Sequence, residues 1–180
     1  MSDMQTRDWS HDLAWSGPPP GGGSAAAAGA ALALGILIML SRTVAANIDQ
    51  LEACRKQALA VATADEAVLR RILQAFSNGD VLEQAEVLRA VQPMLQLLEI
   101  AAQALEAANK LKPQLAAHTQ CDLEVAIWQL AAALRGGAAI IALNFSLLSD
   151  AGEKAALQQQ VAVALGRGEE ALQELQQKSE

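Results

Sequence analysis

Three consecutive glycines, Gly21-Gly22-Gly23, stand between Pro18-Pro19-Pro20 and Ser24, and an unbroken apolar stretch from Ala25 to Leu40 follows at once. Prolines stop a preceding element, and a glycine run keeps the chain open to unusual dihedrals or close approach. Ser24 suits the N-cap of the helix that the alanines and leucines favour. Glycines feeding a helix start expose free backbone N–H groups at the positive end of its dipole, where an anionic or carbonyl group of a ligand can sit. The plainer alternative is a connector before a buried helix. Asn144 is also out of place, on a stripe otherwise made of Leu123, Ile127, Leu130, Leu134, Gly137, Ile141 and Leu148. A buried amide needs partners, and the backbone, a second subunit or a ligand could supply them. His118 is a proton-transfer candidate, or simply an exposed loop histidine. Cys54 and Cys121 are too far apart for a zinc spacing or a disulfide framework and read as free thiols of a reducing compartment. No phosphate-binding loop, dinucleotide fingerprint or serine-histidine triad is present.

The elements that must position these residues are helices. Apolar residues make up 52% of the 180, aromatics only 3%, tyrosine is absent and proline is scarce beyond residue 20. Ala, Leu, Gln and Glu dominate, the vocabulary of a helical protein, and no stretch alternates at period two. The length fits one domain, residues 1–180, with ample material for a core. A net charge of −7 argues against a nucleic-acid or anionic-membrane partner. Ala25 to Leu40 falls short of the roughly 20 residues a membrane span needs. Asp3, Asp8 and Asp12 stand where a signal peptide would be basic. A buried bundle helix and a cytoplasmic protein are the expectation.

Trp9, Leu13 and Ala14 are spaced for one side of a short helix. A first long helix is predicted from Ser24 to near Asn47, and a second from Asp49 to Phe76 with Leu51, Leu59, Val68, Ile72 and Phe76 as core candidates. Gly79 suits a C-cap, and Asp80 with Glu83 a capping box. Leu88, Val91, Leu95, Leu98, Ala102 and Leu105 form the seam of a third helix, which Pro93 should bend rather than end. Leu111-Lys112-Pro113 closes it, and Thr119 with Asp122 makes a plausible capping box for a fourth. Ser149 or Asp150 caps a last helix reaching about Gln177, with a weak point at Gly166-Arg167-Gly168 and a frayed end at Lys178-Ser179-Glu180. The predicted fold is all-α: an up-down antiparallel bundle of four to five long helices. The seams at Leu88 to Leu105 and Leu123 to Leu148 offer more apolar face than one small bundle covers. That surplus, with the close-approach pair Gly136-Gly137, predicts a symmetric homodimer.

The opening Trp9…Asp12-Leu13-Ala14…Pro18-Pro19-Pro20-Gly21-Gly22-Gly23-Ser24-Ala25-Ala26 resembles that of the formiminotetrahydrofolate cyclodeaminase / methenyltetrahydrofolate cyclohydrolase family, where a Pro-Thr-Pro-Gly-Gly-Gly-Ser signature introduces the first long helix. Ala64-Asp65-Glu66-Ala67…Ala75-Phe76 is similar to the family's paired-aspartate stretch, with Asp65 on the second aspartate and Thr63 where the first would stand. Ala90-Val91-Gln92-Pro93 resembles its proline-bearing helix entry. Cys121-Asp122-Leu123-Glu124-Val125-Ala126, Ala133-Leu134-Arg135-Gly136 and Leu143-Asn144 resemble its Ser-Asp…Val-Ala…Leu-Arg-Gly…Ile-Asn stretch, with Cys121 for the serine. The family's Lys/Tyr-rich patch is missing, and Arg42, Arg55 and Lys56 are partial substitutes.

The resemblance implies a folate one-carbon enzyme. Cyclodeamination closes a formimino carbon onto a second folate nitrogen and expels ammonia, and cyclohydrolysis adds water to a methenyl carbon. Both pass through a tetrahedral carbon between two nitrogens, so a proton-shuttling carboxylate is the natural tool. It could instead hold the pterin through two parallel N–H bonds. Asp122 is the first catalytic candidate and Asp65 the second, while Gly21, Gly22, Gly23, Ser24 and Asn144 are the substrate-binding candidates. Asp122 has a helix-capping alternative, and Asp65 that of an exposed helix carboxylate. The tetrahydrofolate derivative is the substrate and no further cofactor is implied; a catalytically inactive binding or scaffold relative is the alternative.

Overall fold

The structure, a computed structural model, describes residues 6–14 and 20–177. Pro18, Pro19, the Trp9 side chain and the Lys178-Ser179-Glu180 end lie outside the described residues. Among them every regular element is helical: α1 Thr6–Ala14, α2 Gly22–Thr43, α3 Asp49–Asn78, α4 Gln84–Leu111, α5 Gln120–Asn144 and α6 Ala151–Gln177. The last five form the up-down bundle that the periodicity predicts.

α4 is the axis of the bundle, packed by α2, α3, α5 and α6. Met94, Leu97, Leu98, Ala101, Ala104 and Leu105 on it are all fully buried. Burying a leucine or methionine side chain contributes about 1.5–3 kcal/mol, so this helix organises the core. Pro93 lies inside α4 without ending it, because the apolar pattern on both sides keeps the helix packed. α2 is likewise a bundle helix between α3 and α5, with Ala27, Ala30, Ala33, Leu34 and Leu37 at 0% exposure. Gly137 of α5 sits where a Cβ would fall 2.7 Å from Leu98 Cδ1, so the glycine lets α5 press onto α4. The expected weak point at Gly166 to Gly168 is uninterrupted helix, pinned by Arg167 to Glu99 and Glu106 at 2.9 Å each.

Three helix starts depart from expectation. α2 begins at Gly22 with Gly21 as its cap residue, and Ser24 is inside the first turn. The capping box before α4 is Glu83 with Glu86, three residues later than Asp80 with Glu83. Thr119 does not cap α5: its hydroxyl donates to the Ala116 carbonyl at 2.8 Å, because a 3₁₀ turn over Ala117–Thr119 already feeds the helix. The end of α3 is as expected, with Gly79 in the left-handed region at φ 75°. Asp150 caps α6, accepting from the Glu153 amide at 2.8 Å.

The two seams do not supply the surplus apolar face. Val91, Leu95, Leu98, Ala102 and Leu105, and Leu123, Ile127, Leu130, Leu134 and Ile141, are all buried within the chain. The exposed apolar face lies elsewhere, with Leu32 and Met39 on α2 and Val125 and Trp128 on α5.

Candidate functional site

α2 has no acidic residue in its first turn, so its free N–H groups need an anion from elsewhere. A carboxylate of the chain itself lies nearby. Asp65, near the middle of α3, lies against the start of α2, where the buried Ser24 hydroxyl donates to Asp65 Oδ2 at 2.9 Å. A Cβ on Gly23 would fall 2.7 Å from that same oxygen, so the carboxylate occupies the space a side chain would need. Asp65 thus stands beside the glycine run, at the position where a side chain on Gly23 would lie. Gly21 is also tight, with a Cβ there 2.8 Å from Leu69 Cδ2, whereas Gly22 has open space around it.

Around this carboxylate lies a cleft of about 400 Å³. Gly22, Gly23 and Asp65 form one side; Val68, Leu69, Ile72, Leu73 and Phe76 of α3 form the next. Ala90 of α4 lies at the back, and Ile140, Leu143 and Asn144 of α5 with Ser146 and Leu147 beyond it close the far side. The lining is apolar apart from Asp65, Asn144, Ser146 and the glycine backbone, and no Lys or Arg is among it. Phe76 is 56% exposed and Leu143 73%, so a face of apolar side chains is open to a ligand.

The structure therefore brings Gly22, Gly23, Ser24, Asp65 and Asn144 together, with Gly21 just behind them. Asp122 is not with them. It is exposed in the first turn of α5, roughly 33 Å along that helix from Asn144 at about 1.5 Å per residue. His118 and Cys121 are exposed beside it. Thr63 is exposed and bonds back to the Leu59 carbonyl, outside the cleft lining. Arg55 pairs with Glu52 at 2.9 Å and Arg42 lies 3.7 Å from the same glutamate, so these cations are spent at the far end of α2. Cys54 is buried, its thiol pKa pushed up by desolvation, and it too lies outside the lining.

Reading by periodicity missed the apolar half of the site. Val68, Ile72 and Phe76 are spaced as core residues, yet they are half-buried or exposed and line the cleft. The sequence carries no signal of this, because the apolar stripe of α3 runs on through Val68, Leu69, Ile72, Leu73 and Phe76 although full burial stops at Ala62. No group of carboxylates, histidines or cysteines among the described residues is arranged to hold a metal ion.

Comparison with known proteins gives the geometry its setting. The sequence profile described as formiminotransferase-cyclodeaminase matches residues 5–163. The crystal structure of formiminotetrahydrofolate cyclodeaminase from Thermotoga maritima superposes with a TM-score of 0.90 at 14% identity, covering 97% of this chain and 95% of that one. That likeness establishes the fold. No curated protein matches the sequence.

Proposed function

The chain belongs to the formiminotransferase-cyclodeaminase family, and from that premise we propose that the cleft binds a tetrahydrofolate one-carbon derivative with Asp65 as its acid/base group. The observation that carries this reading is the Asp65 carboxylate, oriented by the Ser24 hydroxyl and set against Gly23 within an apolar cleft. A flat pterin is suited to lie between the α3 side, Ile72 and Phe76, and the far side, Leu143 and Leu147. The Asn144 amide offers both a donor and an acceptor to its polar edge. Asp65 takes the proton from the attacking nitrogen or water as the tetrahedral carbon forms, then delivers it to the departing ammonia or ring nitrogen. The enzyme is thus a cyclodeaminase, of ammonia-lyase type, or a cyclohydrolase acting on a cyclic amidine. Asp65→Asn keeps a side-chain oxygen for the Ser24 hydroxyl and removes the base. Turnover, followed by methenyltetrahydrofolate absorbance, should fall roughly 100-fold or more with melting temperature nearly unchanged.

One observation favours a second reading, a binding relative without turnover. Folate tails are anionic, and no cation is among the cleft's lining residues. Wild-type chain that binds tetrahydrofolate in calorimetry but turns over neither folate would select it.

The working form in this reading is a cytoplasmic homodimer with no nucleic-acid or membrane partner and no cofactor beyond the folate substrate. Supporting it is the exposed face of Leu32, Met39, Val125 and Trp128, on helices with no charged residue between Gly22 and Ser41 or between Val125 and Leu134. An isologous pairing would cover that face. Light scattering at micromolar concentration should give twice the 18.9 kDa chain mass, and Trp128→Glu should return a monomer.

A further inference from the structure

The far side of the cleft is the least regular part of the site. It comes from the end of α5 and from the 3₁₀ turn Phe145–Leu147, which contributes Ser146 and Leu147. The turn's own bonds are local and modest: the Ser146 hydroxyl to the Leu143 carbonyl at 2.8 Å, and the Leu148 amide to the Phe145 carbonyl at 3.4 Å. Phe145 and the buried Leu148 pack on the core, and the long-range polar tie to the bundle is one side chain from 65 residues earlier. Gln84, the first residue of α4, accepts through Oε1 from the Ser149 amide at 3.0 Å and from the Ser149 hydroxyl at 2.8 Å. Its Nε2 donates to Glu153 Oε2 at 3.0 Å. Two polar groups of that connection and one of the first turn of α6 are thereby held by a carboxamide that itself lies outside the cleft lining. The opposite side is tied to the same turn of α4, since Arg71, adjacent to Ile72, pairs with Glu86 at 2.6 Å.

We infer that Gln84 is a positioning residue, a latch that fixes the Phe145–Leu147 side of the cleft against α4 and so sets the cleft's affinity. The kinetic form of this inference rests on the folate reading above. Gln84→Ala leaves the connection with its local hydrogen bonds and the packing of Leu148 but no polar tie to α4, so KM for methenyl- or formiminotetrahydrofolate should rise about tenfold while kcat stays within about twofold. Amide exchange should speed up at Leu148 and Ser149 and stay unchanged in the middle of α4. Q84E keeps both bonds from Ser149 but sets a carboxylate against Glu153, and it should raise KM severalfold. The exchanged pair Q84E/E153Q restores all three bonds with donor and acceptor swapped, and should return KM to the wild-type value. E153Q alone should be near wild type.

Should the wild-type chain turn over neither folate, the catalytic reading fails and the latch is read with Nile red, a neutral apolar dye. The part of its binding that Leu143→Glu abolishes belongs to the cleft, and it should weaken in Gln84→Ala and recover in Q84E/E153Q. The kinetic arm decides wherever turnover is measurable, and the dye arm where it is not. An unchanged affinity in Gln84→Ala, or a loss that the exchanged pair does not restore, overturns the latch. Uniformly faster exchange along α4 with KM unchanged would make Gln84 an ordinary stabilising contact and overturn it equally.

Discussion

The two ends of α5 hold the two halves of a useful contrast. At its first turn Asp122 stands beside Thr119, His118 and Cys121, four residues within five positions whose types invite a catalytic reading. All but the half-buried Thr119 are exposed, and none of the four is among the residues lining the cleft. At its last turn a single polar residue, Asn144, shares the cleft with a carboxylate from α3 that is bonded to a serine from α2, 41 residues away in sequence. Local density of reactive side chains does not coincide with the cleft. What marks the cleft is a carboxylate given a fixed seat, a hydrogen-bond donor behind it and an apolar wall in front.

Among variants that leave Asp65 in place, the largest effect is expected at Gly23. An alanine Cβ there falls 2.7 Å from Asp65 Oδ2. The carboxylate is the free end of a side chain and can swing aside, so the fold should survive while turnover falls about tenfold or more. Circular dichroism melting together with kcat separates the two. Ser24→Ala is next. It leaves the carboxylate seated but without its donor, and kcat should fall severalfold, the equivalent of about 1 kcal/mol. Asp122→Asn should be silent in turnover and shift stability by no more than about 0.5 kcal/mol, since it is exposed and takes part in no cap. An effect of either catalytic size or cap size there would break the contrast.

The smallest effect is acidic. The hydrogen bond from Arg71, reinforced by the Glu83 amide, holds Glu86 below the ordinary glutamate range, and the Arg135 bond does the same for Glu169. A depressed folded pKa gives stability that is complete above the unfolded value, about 4.3, and is lost as pH falls through the folded one. Melting temperature should therefore be flat on this account from pH 7 to about 5 and decline below about 4.3. Arg71→Gln should flatten part of that decline, and both groups are exposed enough for the change to be slight.

The contrast also explains what could be read from the sequence. Helix periodicity located all five long helices to within a few residues, because their buried faces repeat at 3.6 and their breaks carry Gly79, Pro113 and Asp150. Caps were less legible. Asp80 with Glu83 and Thr119 with Asp122 have the spacing of capping boxes, but Arg71 draws Glu86 into the true box and a 3₁₀ turn displaces the other. The cleft was legible only in pieces. Gly23, Ser24, Asp65 and Asn144 stand out by type or by resemblance, but that Asp65 fills the space above Gly23 depends on how closely α3 crosses α2. The latch of Gln84 on Ser149 leaves no local trace at all, since a glutamine at a helix start is unremarked.

The most direct test sets Asp65→Asn against Asp122→Asn in one experiment, measuring kcat for methenyl- and formiminotetrahydrofolate at equal concentrations of folded protein. The account expects a loss of roughly 100-fold or more at Asp65 and wild-type turnover at Asp122. Turnover that survives in Asp65→Asn, or collapses in Asp122→Asn, would contradict it.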